Sequence, residues 1–111
     1  MAFVVNHFKA LMEKNSKNGK PFLTEQHLII FIERAFLKKS IKTKPVVNLT
    51  INEKGFFISR FYEFFDLCVS QYGEVNKKKD YISLVTDNFG NQWNRESVSY
   101  FFKPNKTKEK W

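Results

Sequence analysis

Hydrophobic positions recur every three or four residues along most of the chain, a spacing that is typical of amphipathic α-helices. The clearest run begins at Leu28 and keeps helical spacing as far as Phe36. Thr24 precedes this run as a predicted N-cap, because its hydroxyl can accept a hydrogen bond from the first helical turn. The pattern predicts an all-α bundle of four or five helices, over residues 2–14, 24–39, 52–72, 78–89 and 94–103.

The pattern of the segment 46–51 fits two structures. It alternates well enough for a short edge strand, but its polar residues equally favour a loop that leads into the next helix. Thr50 and Glu53 have the spacing of a capping box, so we expect the 52–72 helix to follow at once. Since that helix is apolar around much of its circumference, we predict that it is the central one and that Gly73 ends it.

The length of the chain, 111 residues, is that of one domain. We predict a single helical domain over 1–104, followed by a basic tail over 105–111. Thirteen phenylalanines favour a core built from large aromatic rings, and we assign Tyr72 and Trp93 to core packing as well. The predicted core consists of Phe8, Leu28, Phe31, Ile32, Phe36, Phe57, Phe61, Phe65, Cys68, Ile82, Val85, Phe89, Val98 and Phe101.

The apolar content of the chain, 42%, is too high for a disordered protein, yet no apolar run approaches the ~18 residues of a membrane-spanning helix. The first residues carry none of the features of a signal peptide, so we expect a cytoplasmic protein that does not enter the membrane. Cys68 is the only cysteine, which leaves it no partner for an intramolecular disulfide.

The formal charge of the chain is +8, from 19 basic and 11 acidic residues, and such a charge favours a polyanionic partner. Part of the charge can come from codon bias, because lysine, asparagine and phenylalanine are the residues that an AT-rich genome over-supplies. Arg34, Arg60 and Arg95 are the only arginines, although arginine is the better reader of phosphate and guanine.

The residues needed for catalysis or metal binding are hard to find in this sequence. His7 and His27 are the only histidines, and neither has a second ligand or a nucleophile at the required spacing. The four glycines are isolated from one another, so there is no glycine-rich phosphate loop. We therefore expect no catalytic residue, no metal and no cofactor.

Nucleic-acid binding is the sharper hypothesis, because residues 79–103 have the layout of a helix-turn-helix. The polar residues at the start of its second helix are expected to face outward, where asparagine and arginine could contact base edges. Lysines would neutralise phosphates. The candidate nucleic-acid-binding residues are Lys77, Lys78, Lys79, Asn94, Arg95, Ser97, Ser99, Lys103, Lys106 and Lys108, with a secondary basic loop of Lys38, Lys39, Lys42 and Lys44. The long turn over 90–94 and Glu96 within the second helix favour the alternative of an ordinary pair of packed helices.

A third class is a protein that binds another protein. The chain has more tyrosines and tryptophans than its short core needs, and these residues are favoured anchors at interfaces. We take Tyr100 and Trp111 as the candidates for such an interface.

Part of the last third of the chain also resembles a known family. The residues concerned are Lys79-Asp80-Tyr81-Ile82, Phe89, Trp93-Asn94-Arg95-Glu96-Ser97-Val98 and Phe101-Phe102-Lys103. They resemble the C-terminal helical segment of RteC-type regulators of mobile elements, which implies DNA binding and regulation of element transfer. As a small basic protein rich in lysine, asparagine and phenylalanine, the chain is also similar in type to phage-encoded anti-CRISPR proteins, which implies docking on a host nuclease or its guide RNA.

We therefore expect a non-catalytic protein of phage or mobile-element origin whose partner is DNA, RNA or a host nucleoprotein complex. On the first hypothesis it is a DNA-binding regulator that acts through a helix-turn-helix-like pair. The alternative hypothesis is an inhibitor of the anti-CRISPR type. The sequence leaves the identity of the partner and the oligomeric state open.

Overall fold

A computed structural model of the chain describes residues 2–50, 52–91 and 93–104, and the regular structure in these ranges is helical apart from an isolated β-bridge between Asn15 and Pro21. The helices are α1 (Ala2–Phe8), α2 (Ala10–Glu13), α3 (Glu25–Ala35), α4 (Lys54–Tyr72), α5 (Lys78–Thr86) and α6 (Arg95–Phe101), and a 3-10 turn at Val75–Lys77 precedes α5. The prediction of an all-α, single-domain bundle is confirmed. None of the helices in these ranges is long and apolar enough to cross a membrane.

α4 is the central helix, as the sequence predicts. The ring of its Phe61 lies 5.0 Å from that of Phe8 in α1 and 5.6 Å from that of Phe31 in α3, measured between centroids. The same ring lies 5.9 Å from Phe89, which follows α5. α4 ends at Gly73, whose φ of 68° is a left-handed conformation that costs glycine little. The bundle is therefore assembled around one long aromatic helix.

Capping side chains define the starts of α3 and α6, also as predicted. Thr24 Oγ1 accepts a hydrogen bond from the backbone N–H of His27 at 3.1 Å. Asn94 Oδ1 accepts one from the backbone N–H of Ser97 at 3.1 Å. Each cap satisfies a donor that would otherwise have no partner inside its helix.

α3 ends at Ala35 rather than at residue 39, because its last turn is tied to the chain that follows. The guanidinium group of Arg34 donates hydrogen bonds to the carbonyl oxygens of Ile41 and Asp87, and the second is 3.2 Å long. Lys38 has a φ of 52°, which takes the backbone out of the helical path.

α5 ends at Thr86 rather than at residue 89, and α6 ends at Phe101 rather than at residue 103. After α5 the backbone N–H of Gly90 donates to the carbonyl of Pro45 at 2.9 Å, so a tertiary hydrogen bond takes the place of a helical one. The predicted helix over 2–14 is divided into α1 and α2 at Lys9.

The predicted core is buried with two exceptions. Phe36 and Phe101 are only partly buried, although both pack against the core. Tyr72, assigned to the core by its spacing, is 64% exposed because it is the last residue of α4. Trp93 is partly buried and stacks on Phe57 with ring centroids 5.9 Å apart. The core also contains residues outside the predicted set: Leu11, Phe22, Leu23, Val47, Phe56, Ile58, Phe64 and Phe102.

The connection between α3 and α4, residues 36–53, is a long irregular segment, and Ile51 lies outside its described part. The described residues of the segment 46–51 form no strand, so the loop alternative holds for them. Asn91 holds this segment by its side-chain amide, which accepts from Val47 N and donates to Val47 O at 3.0 Å each. Asn48 N also donates to Phe22 O at 2.8 Å.

Glu53 anchors the far end of this connection through a buried carboxylate. Its oxygens accept hydrogen bonds from Ser16 Oγ at 2.5 Å and from Lys17 N at 3.0 Å. The hydroxyl and the backbone N–H of Thr50 donate to it at 2.5 and 2.6 Å. Burial by itself raises the pKa of Glu53, but these hydrogen bonds outweigh it and lower the pKa to about 2. The Thr50–Glu53 pair was predicted as a capping box, but α4 begins only at Lys54.

Candidate nucleic-acid interface

The first part of the α3–α4 connection, residues 38–45, lies alongside α5. At one end Lys38 and Lys77 line the same groove, next to the start of α5. At the other end a Cβ on Gly90, which follows α5, would lie 3.8 Å from Cβ of Lys44. Two lysine-rich segments that are distant in the sequence therefore approach each other at Lys38 and Lys77, while Lys44 lies beyond the other end of α5.

We call this surface the basic face. It is composed of six exposed lysines: Lys38, Lys42, Lys44, Lys77, Lys78 and Lys79. Within the described chain only Lys77 among them forms an ion pair, with Glu74 at 3.2 Å. Lys39 of the predicted secondary loop instead pairs with Glu33 of α3 at 2.6 Å. Most ammonium groups of the basic face are therefore free to meet an external anion.

A groove of about 620 Å³ separates the two lysine segments at the start of α5. Its floor is apolar and includes Phe36, Leu84 and the buried thiol of Cys68. Tyr81 also lines it, and burial, together with a hydrogen bond to Cys68, raises the pKa of the Tyr81 hydroxyl. The hydroxyl stays neutral at physiological pH, so the acidic side chains that line the groove are those of Glu74 and Asp80.

The start of α6, where the sequence predicts base-reading side chains, is engaged in internal hydrogen bonds. Asn94 is the N-cap described above and is not a free amide. Arg95 donates to the carbonyl of Lys79 at 3.0 Å and to Ser83 Oγ at 2.9 Å, so it joins α6 to α5. Ser99 is exposed.

Ser97 does not face outward, which corrects the prediction for this residue. Its hydroxyl accepts a hydrogen bond from Lys54 Nζ at 2.5 Å, across the contact between α6 and α4. Position 97 lies between the exposed Glu96 and the buried Val98, at the border of the buried side of α6. Sequence reasoning missed Lys54, since one lysine at the start of an aromatic helix carries no signal of its own.

The α5–α6 pair departs from a strict helix-turn-helix in two respects, the length of its connection and the length of its second helix. Residues 87–94 connect the helices, whereas the sequence predicts a turn over 90–94 and the motif uses about 3–4 residues. α6 has 7 residues, which gives it a length of roughly 10 Å. A helix of this length makes only about two turns.

Lysine side chains also surround the end of α6. Lys103 Nζ lies 4.1 Å from the ring centroid of Tyr100, and Lys54 Nζ lies 5.9 Å from that of Phe101. Lys78 Nζ lies 5.9 Å from the centroid of Phe102. Since Lys78 belongs to the basic face, the end of α6 adjoins that face. The remaining predicted site residues, Lys106, Lys108 and Trp111, lie outside the described residues.

Both histidines have backbone partners. His7 is 7% exposed, its Nε2 lies 2.9 Å from the carbonyl of Arg60, and Arg60 donates in return to the carbonyl of His7. Burial lowers the pKa of His7 to about 4, and the nearby charge of Arg60 acts in the same direction. His27 Nδ1 lies 3.2 Å from the carbonyl of Val46. In the described part of the chain, no three His, Cys, Asp or Glu side chains are grouped to hold a metal ion.

Comparisons of the chain with known protein families, curated proteins and solved structures find no match. Function is therefore inferred from the charge and geometry of the surface. The structure brings Lys38 of the predicted secondary loop to the groove that Lys77 also lines, and it engages the start of α6 internally.

Proposed function

We propose that the protein is a small, non-catalytic nucleic-acid-binding protein that contacts phosphates through the basic face. The observation that carries the proposal is that Lys38, in the lysine-rich loop, and Lys77, just before α5, line the same groove. Lysine ammonium groups act as point charges that neutralise phosphates and release counterions. Long irregular loops of compact domains commonly carry function, and the α3–α4 connection is of that kind.

The mode of binding in this proposal is phosphate contact with little reading of base sequence. Arg95 would have to break its hydrogen bonds to α5 before it could reach a base edge. Phosphate contacts position a protein on nucleic acid and carry no sequence information by themselves. A regulatory role for a mobile element or a phage is part of the proposal, and the resemblance of segment 79–103 to RteC-type regulators supports it.

Fluorescence anisotropy with labelled DNA and RNA oligonucleotides, measured between about 50 and 150 mM salt, tests this proposal. We compare the wild type with the triple variant Lys77/Lys78/Lys79→Ala. The matched control is Lys9/Lys17/Lys20→Ala, which removes the same charge from exposed positions outside the basic face. Each lost phosphate contact lowers the slope of log K against log salt by about 0.7–0.9.

The expected result is wild-type binding that persists near 150 mM salt and a slope reduced by about two in the basic-face triple alone. Equal losses in the two triples would contradict the proposal, since they would show a response to net charge only. Absence of wild-type binding near physiological salt would also overturn it.

A second candidate function is inhibition of a host nuclease complex by docking. The groove beside the basic face supports it, because the exposed residue Tyr72 lines it together with apolar side chains. Exposed aromatic and apolar side chains next to a charged rim are typical of protein interfaces. If this candidate is correct, Tyr72→Ala will weaken capture of a nuclease–guide RNA complex, while Tyr62→Phe, a change in a partly buried ring, will leave capture unchanged.

A further inference from the structure

The end of α6 carries three consecutive aromatic residues, and a lysine ammonium group lies near each ring. Lys103 lies near Tyr100 and Lys78 near Phe102. Lys54 Nζ lies 5.9 Å from the centroid of Phe101 and 5.4 Å from that of Trp93. These lysines come from three different parts of the chain. Their convergence on one turn of helix brings together positive charge and aromatic surface, which are the two components of a site for unpaired nucleotides.

Tyr100 is the member of this trio that presents its ring to solvent. It is 67% exposed, whereas Phe102 is 2% exposed and Phe101 is partly buried. The ring of Phe101 meets that of Tyr100 nearly at a right angle, with centroids 5.0 Å apart. One ring of the trio is thus buried in the bundle, while another stands free for an external partner.

The close approach of α6 to α4 fixes this turn in place. A Cβ on Gly55 would lie 2.8 Å from Cδ1 of Phe101, so the two helices meet at a position where there is no room for a side chain. The Lys54–Ser97 hydrogen bond lies at the same contact. Tyr100 therefore projects from a supported helix, so little conformational entropy is lost when a ligand stacks on it.

We propose that the end of α6 binds an unpaired nucleobase by stacking on Tyr100, with Lys54, Lys78 and Lys103 contacting the adjacent phosphates. The inference rests on the proposed function and names its substrate class, single-stranded nucleic acid. A base within a duplex has both of its faces covered by neighbouring base pairs and cannot stack on a side chain. The strand leaves Tyr100 past Lys78 and continues along the basic face.

Glu96 provides an internal check on this proposal. It is exposed and precedes Tyr100 by four residues, a spacing that places the two side chains on the same side of a helix. Its carboxylate repels the phosphates of a strand that is bound there. Glu96→Gln will therefore strengthen single-strand binding, by about twofold to fivefold at low salt.

The experiment measures anisotropy with a fluorescein-labelled oligothymidine strand of about 15 nucleotides, its RNA counterpart and a duplex of the same length. The variants are Tyr100→Ala and Tyr100→Phe, with Ile29→Ala as the control, since Ile29 is an exposed large apolar residue that belongs neither to the basic face nor to the end of α6. Tyr100→Ala will reduce affinity for the single strands by about tenfold to a hundredfold. Tyr100→Phe keeps the ring and will bind like the wild type, as will Ile29→Ala.

Two further measurements distinguish a contribution from base stacking from one that is due to charge. The loss in Tyr100→Ala will be the same factor at each salt concentration, because stacking releases no counterions, and duplex binding will be unchanged. If Tyr100→Ala binds single strands like the wild type while the basic-face triple still loses affinity, the proposed function stands and this inference is overturned. Equal losses for single strand and duplex also overturn it. Absence of binding by the wild type to any of the three probes removes the proposed function, and this inference with it.

Discussion

The start of α6 and the loop over 38–45 are both polar, but their side chains are used in different ways. At the start of α6, Asn94 caps the helix and Arg95 bonds to α5. In the loop, Lys42 and Lys44 are exposed and form no ion pair within the described chain. Asn94 and Arg95 are thus exposed but hydrogen-bonded within the fold, while Lys42 and Lys44 are exposed without an ion-pair partner in the described chain.

This difference shows that the residue type alone does not locate a binding surface. An arginine in a helical first turn and a lysine in an irregular loop give similar signals in the sequence. The hydrogen-bond partners distinguish them, because a donor that is already satisfied must give up its bonds before it binds a ligand. The start of α6 supports the fold through these hydrogen bonds, and phosphate contact by the loop is part of the proposed function.

The largest expected effect on stability comes from a substitution of Glu53, which anchors the C-terminal end of the α3–α4 connection. Glu53→Gln removes the charge and keeps one acceptor oxygen for Ser16 and Thr50, while its amide N–H₂ cannot accept from the backbone N–H of Lys17. Because hydrogen bonds to a buried charged group are the strong ones, we expect a loss of about 3 kcal/mol in the free energy of unfolding. Urea denaturation measures it, with the exposed Glu13→Gln as control. A loss no greater than that of the control would show that the anchor contributes nothing.

Acid should weaken the scaffold that supports both regions. The pKa of His7 is lowered from 6.5 to about 4 in the folded protein, so the folded state disfavours the protonated ring. The stability that follows is fully present above pH 6.5 and is lost as the pH falls from 6.5 to 4, at up to about 1.4 kcal/mol per pH unit. Glu53, with its pKa lowered from 4.5 to about 2, continues the loss at lower pH.

Denaturation of the wild type and of His7→Gln at several pH values checks this expectation. Glutamine does not titrate, so the variant should be less stable near neutral pH but should lose little further stability between pH 6.5 and 4. The same slope in both proteins would assign the acid sensitivity to other groups.

Arg95→Ala tests directly whether the start of α6 supports the fold or binds nucleic acid. It removes the hydrogen bonds to Lys79 and Ser83, which lie at the surface, so we expect a loss of about 1 kcal/mol in stability. Nucleic-acid affinity, measured by anisotropy well below the melting temperature, should change by less than about twofold, because the basic face is intact. Ser99→Ala, on the same helix, is the control. A large loss of affinity without a loss of stability would contradict this expectation and would indicate that the start of α6 contacts bases.

The smallest expected effect is a change in stability on substitution of Lys38, which distinguishes the role of its charge from that of its backbone conformation. Lys38 has a φ of 52°, a conformation that costs a residue with a side chain roughly 1 kcal/mol and glycine little. Lys38→Gly should therefore raise the melting temperature slightly while it weakens nucleic-acid binding about twofold to fivefold. Lys42→Gly removes the same charge without that relief and should be slightly less stable than the wild type. Equal stability changes in the two variants would contradict this interpretation.

Local signals predicted much of the fold. The caps Thr24 and Asn94, the stop at Gly73 and the central aromatic helix all follow from neighbouring residues, and the structure confirms them. The early end of α5 does not follow, because the apolar spacing continues to Phe89 while the chain is turned by a hydrogen bond to a residue some forty positions earlier.

The candidate site was harder to predict from the sequence, because it too depends on tertiary contacts. The lysines of both segments were identified from the sequence, but their convergence depends on tertiary contacts that periodicity does not encode. Ser97 was placed on the outside because its partner, Lys54, lies on another helix. Tyr72 continues a buried stripe by spacing, yet it lies at a helix end where the core stops.

The most direct test of the central claim is an amide ¹H–¹⁵N NMR titration of the protein with a short oligothymidine strand near 150 mM salt. It follows the amide chemical shifts of the start of α6 and of the loop over 38–45 in one experiment. The account predicts shifts that concentrate at residues 38–45, 77–79 and 100–103, with small changes at 94–97. Shifts that concentrate at 94–97 while 38–45 remains unmoved would contradict the account.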